Sequence, residues 1–112
     1  MTGPRAKRVE WRPQARVDAA EGATWYTAQG GLELGEHFLQ QVEATLSRLS
    51  EFPGIGSTRH AWCVPNLPEP LRFFPVSRFD RYLVYYLDWP DHVEVIRIWN
   101  AARGLDALME TS

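Results

Sequence analysis

The chain has 112 residues, 45% of them hydrophobic and 23% charged, with a formal net charge of -2 at pH 7. That length suits one globular domain, residues 1–112, and not two. The mild acidity argues against a protein built mainly to grip nucleic-acid backbone, and the single cysteine, Cys63, excludes an internal disulfide and fits a reducing compartment.

In chain order, "KRVEW" (Lys7 to Trp11) alternates and predicts a short first strand. Pro13 follows, suited to the first turn of a helix. Ala15, Ala19, Ala23 and Tyr26 then recur at helical spacing, giving a thin face that can approach a neighbour closely. Gly30-Gly31 stops this helix. Phe38, Val42, Leu46 and Leu49 line one face of a second, with Leu39 beside it, and Phe52-Pro53-Gly54 ends it. The short connection predicts antiparallel neighbours, an αα-hairpin.

Residues 53–70, rich in proline and glycine, read as an irregular surface loop. "LRFFPV", "RYLVYYLDW" and "VEVIRIW" read as three strands, with "DWPDH" the turn of a hairpin between the last two. Alternation puts Leu83, Tyr85 and Leu87 on one face, and Tyr82, Val84 and Tyr86 on the other. Both faces are apolar, so one is expected to pack on the helices and the other to meet a partner. The order β-α-α-β-β-β, with a helical hairpin on one face of a mainly antiparallel sheet, defines an α+β domain.

His37, His60 and His92 have no regular spacing and no second cysteine stands near Cys63, so neither a metal nor a cofactor is expected. No apolar run approaches membrane-spanning length, and "MTGPRAKRVEW" lacks the apolar core of a signal peptide. A cytoplasmic protein with no membrane partner is expected. The cations are all arginine except Lys7. Arginine favours planar, bidentate and stacked contacts over proton transfer.

Four runs carry a resemblance. "VEWRPQARVDAAEGATWY", "FLQQVEATLSRLSEFPGIGSTR", "LRFFPVSRFDRYLVYYL" and "VEVIRIWNAARGLDAL" resemble, in order and spacing, the ParE-like toxins of the RelE/ParE superfamily of type II toxin–antitoxin systems. Arg97 and Arg103 match two arginines of that family's closing motif. Asn100 stands where histidine is common there, and Gly104 where aspartate is common. The resemblance implies a cognate antitoxin encoded nearby, a toxin–antitoxin hetero-oligomer, and a cellular target, DNA gyrase, bound through Arg97, Asn100 and Arg103. Tyr82, Val84 and Tyr86 of the second sheet face, with Trp62 and Trp89, are assigned to the antitoxin.

The alternative within the superfamily is a ribosome-dependent mRNA endonuclease, whose residues here would be Arg72, Arg97, Arg103 and His60. RNA cleavage at the 2′-hydroxyl needs a base and an acid besides cations. Asn100 cannot exchange protons near neutral pH, which favours inhibition by binding. A third reading is an inactive homologue that only binds antitoxin. From its strand position alone, Arg97 is as well suited to a pair with Asp80 or Asp88 as to target contact.

Overall fold

The computed structural model describes residues 6–109. Within them the order is β1 (Arg8–Trp11), α1 (Pro13–Gly30), α2 (Leu32–Glu51), 3₁₀ turns at Pro53–Ile55 and Ala61–Cys63, β2 (Arg72–Val76), β3 (Phe79–Asp88), β4 (His92–Asn100) and a last 3₁₀ turn at Ala101–Arg103. The α+β class and the β-α-α-β-β-β order hold.

Pro13 occupies the start of α1, where its missing N–H costs no hydrogen bond. Gly31, at φ 92°, ends the helix in a conformation that side chains disfavour, and α2 begins at once. The two helices lie close because Ala15, Ala19 and Gly22 present almost no bulk. A Cβ on Gly22 would come within 2.7 Å of the Phe38 ring.

The sheet has the order β1-β4-β3-β2. β2 pairs antiparallel with β3, and β3 with β4. β1 enters parallel to β4, with Arg8 opposite His92 and Trp11 opposite Val95. The first and last strands therefore lie side by side.

On one face Phe38, Val42, Leu46 and Leu49 of α2 pack with Ala15 and Ala19 of α1 against Tyr82, Val84, Tyr86, Val93, Val95 and Ile98. This corrects the antitoxin assignment of Tyr82, Val84 and Tyr86. They are 7%, 0% and 0% exposed and belong to the helix-packed core. Nor is the other face open. Leu71, Tyr85, Leu87, Ile96, Trp99 and Leu108 form a second core, closed by Val64 and Leu67 of the loop and by Leu105 and Met109 beyond the last turn. An apolar sheet face left in water would forgo the burial free energy of every side chain on it, and the chain's own loop and tail supply the cover.

The register of β4 slips between Arg97, opposite Tyr85, and Val95, opposite Tyr86. Ile96 is the extra residue of a β-bulge, which breaks simple alternation. Val95 and Ile98 consequently share the helix face, while Ile96 and Trp99 share the other.

Candidate functional site

β1 ends at Trp11, opposite Val95. Beyond it, that edge of β4 is met by a side chain instead of a strand. Asp18 of α1 accepts from the Ile98 N–H at 3.1 Å and from Arg97 Nε and Nη2 at 2.7 and 2.9 Å. Arg97 Nη1 also donates to the Leu108 carbonyl at 2.9 Å. The pair is bidentate and its side chains are only 6% and 3% exposed. The partner of Arg97 is thus neither Asp80, which is exposed, nor Asp88, which binds Lys7 Nζ at 2.6 Å. Arg97 is interior, which corrects its assignment to target contact: its guanidinium joins α1, β4 and the tail.

Past Arg97 the strand ends in a built turn. Trp99 is 1% exposed, and its Nε1–H donates to the Gly104 carbonyl at 2.7 Å. Asn100 accepts from the Ala102 N–H at 3.0 Å, capping the 3₁₀ turn. Gly104, at φ 75°, reverses the chain. Arg103 stands exposed on this turn, its Cζ 4.3 Å from the centroid of the Trp99 ring. Arg97 reaches the same indole at 4.5 Å.

Arg103 and Asn100 form one wall of a shallow cleft of about 210 Å³, with Tyr82 and Ile98. Asp18, Glu21, Gly22 and Trp25 of α1 form the other. Trp25 is 45% exposed and Glu21 lies at the surface. Burial and the neighbouring Tyr26 push the Tyr82 phenol above its ordinary pKa, against the pull of Asn100, Arg81 and Arg103. It therefore stays a neutral hydrogen-bonding group. The cleft offers an exposed cation, the exposed Glu21 carboxylate, an amide, a phenol and an indole, a surface suited to docking a partner's side chains.

The other residues named from the sequence lie elsewhere. Arg72 Nη1 donates to the carbonyls of Gly54 and Gly56 at 3.2 and 2.9 Å, tying the loop to β2. His60 stacks on Phe73, and its Nδ1 lies 2.8 Å from the Tyr85 hydroxyl. Burial lowers the His60 pKa, helped by the Arg59 charge, and burial pushes the Tyr85 phenol up to about 12. Both are neutral near pH 7 and hold the loop to the sheet. Of the two tryptophans assigned to the antitoxin, Trp62 is 71% exposed. Trp89 is half-buried, donates to Glu94 at 2.9 Å and stacks on His92. Among the described residues no cluster of His, Cys, Asp or Glu could hold a metal ion. No helix there is long and apolar enough to cross a membrane.

Sequence reasoning missed Asp18 and Trp25. For Asp18 a signal existed: it falls on the Ala15–Ala19–Gly22 stripe of α1, and an acid on a buried stripe calls for a cation. Trp25 carries no such mark.

The domain is thus a small α+β fold, a helical hairpin on a four-stranded sheet, with Arg103 exposed on the turn after β4. The fold matches a solved chain described as "Chromosomal ParDE TA system from P. aeruginosa", with TM-score 0.68 and 16% identity over 85% of this chain and 96% of that one. No curated protein sequence matches. The family model for the ParE toxin of the type II toxin–antitoxin system parDE matches residues 9–105, and the chain belongs to this family. It is the toxin of a type II toxin–antitoxin system, and membership implies a cognate ParD antitoxin.

Proposed function

We propose that this toxin arrests growth by binding DNA gyrase, with the cleft between Trp25 and Arg103 as the contact. One observation carries the reading. Of the four residues an RNA-cleaving centre would draw on, Arg72, Arg97 and His60 are engaged in holding the fold together. Only Arg103 reaches out, and it stands beside an amide and a neutral phenol. Arginine, amide and neutral phenol bind and orient, and Glu21 on the facing helix is the cleft's exposed carboxylate. Asn100, in the same cleft wall, is read as a target contact with Arg103. For the antitoxin, we read Trp62, 71% exposed, as a contact, and not the sheet face, which the chain's own loop and tail cover.

Two assays on purified toxin and one in cells test the proposal. Supercoiling by gyrase should be inhibited, and Arg103→Ala should raise the inhibitory concentration about thirtyfold, the value of an interface arginine near 2 kcal/mol. In cells, expression without antitoxin should give filamentation and a DNA-damage response while translation continues. Codon-positioned mRNA cleavage in a reconstituted translation system, with supercoiling untouched, would transfer the reading to a ribosome-dependent endonuclease.

A further inference from the structure

An exposed arginine ordinarily samples many rotamers, and ordering it at an interface takes away part of the affinity it supplies. Arg103 is not in that position. Its guanidinium lies over the Trp99 indole at 4.3 Å. Trp99 is itself fixed, 1% exposed in the core below and hydrogen-bonded at Nε1 to the Gly104 carbonyl at 2.7 Å. The carbonyl reaches the indole because Gly104 adopts φ 75°, closing the turn that carries Arg103. The second guanidinium on this ring, that of Arg97, has its charge matched by Asp18, which limits repulsion between the two arginines.

We propose that Trp99 and Gly104 are positioning residues, which hold Arg103 in the orientation that receives an acidic side chain of the target. The proposal rests on the reading of Arg103 as a docking residue. Stacking uses a face of the guanidinium and leaves its in-plane N–H donors for a carboxylate, which they match in bidentate fashion. Among the described residues Arg103 makes no ion pair of its own. Gly104 also gains a role here. Aspartate at this position would strain the backbone at φ 75° and would place a carboxylate of the chain itself beside the arginine.

A double-mutant cycle on growth arrest at titrated expression tests this without assuming the target. Arg103→Ala, Trp99→Phe and their combination are compared, each normalised to folded protein. Trp99→Phe keeps a ring but loses the indole donor and much of the cation–π attraction. It should weaken toxicity on the order of tenfold alone, and less than about twofold in the Arg103→Ala background. Gly104→Ala provides the same cycle outside the core. Its Cβ meets nothing within 4 Å, so only the turn is strained. Arg103→Lys should be nearly as weak as Arg103→Ala, since a point charge does not reproduce a stacked fork. The Arg103 Nε–H resonance, displaced by the indole ring current, should return towards its free value in Gly104→Ala.

Effects of Trp99→Phe and Gly104→Ala that multiply with that of Arg103→Ala would overturn the positioning role, as would full activity of Arg103→Lys or an unmoved resonance. Undiminished toxicity of Arg103→Ala would overturn the docking reading and the positioning role with it. A normal cycle in cells with no effect on supercoiling would reject gyrase alone and leave the positioning role standing.

Discussion

On one face of the sheet, Phe38, Val42, Leu46 and Leu49 of a single helix meet Val84, Val93, Val95 and Ile98. On the other, Tyr85, Ile96 and Trp99 are met by Leu71, by Val64 and Leu67 of a proline-rich loop, and by Leu108. Both faces exclude water, but they do so with different kinds of chain. The helix face is covered by two long elements that carry their own hydrogen bonds. The loop face is covered by segments held from outside: His60 Nδ1 lies 2.8 Å from the Tyr85 hydroxyl, Trp99 Nε1–H donates to the Gly104 carbonyl, and Arg97 donates to the Leu108 carbonyl. One cover is self-supporting; the other is fastened on by side chains of the sheet. The loop face should therefore be the first to open.

The largest test of that contrast is Arg97→Ala. Arg97 binds α1 through Asp18 and the tail through Leu108, so its loss touches both covers. It also leaves the Asp18 carboxylate buried without its cation, at a cost of about 3–5 kcal/mol. Denaturant titration should show this loss, and a decrease below about 1 kcal/mol would mean that Asp18 finds another partner.

The same truncation on each face sharpens the comparison. Leu49 is 0% exposed under α2 and Leu108 is 1% exposed on the other side. Leu49→Ala should cost about 4 kcal/mol, because a helix spanning the whole core cannot sink into the cavity. Leu108→Ala should cost about 2 kcal/mol, because the tail can settle inward. Equal losses in chemical denaturation would show that the two covers are equally rigid.

The smallest effect concerns acid. His60 belongs to the loop cover, and burial with the Arg59 charge lowers its pKa. The unfolded chain therefore takes up this proton more readily than the folded one, and stability is lost as pH falls from about 6.5 through the folded value. Amide exchange corrected for intrinsic rates should show loop-face amides opening faster at mildly acid pH than at neutral pH. His60→Phe should flatten the dependence. An identical slope in that variant would assign it to another group.

The same contrast explains what could be read in advance. The helix face was legible because its residues repeat at local spacing: Phe38, Val42, Leu46 and Leu49 mark themselves as one stripe, and Gly30-Gly31 marks its start. The apolar character of both sheet faces was legible too. Which face the helices would take was not, since Tyr82–Val84–Tyr86 and Leu83–Tyr85–Leu87 are equally apolar. The cover of the other face depends on loop residues with no period, and the bulge at Ile96 has no local signature. At the site, Asn100 and Arg103 were named from the resemblance of the closing motif, not from a local pattern of their own. Arg97 was seen as a residue in need of a carboxylate, but its partner comes from a helix 79 residues away. Such pairs follow from tertiary packing; their local trace here is an acid, Asp18, on the buried stripe of α1.

The parallel seam between β1 and β4 sets an order of events during synthesis. Arg12 and its partner Glu94 are 82 residues apart, so β1 leaves the ribosome on the order of 4–16 s before the strand it needs. Until then the helical hairpin can form, but its apolar stripe has no sheet to meet. The turn bearing Arg103 lies beyond β4 and comes later still. On the docking reading of Arg103, a nascent chain lacks this surface until the last strand has closed against the first.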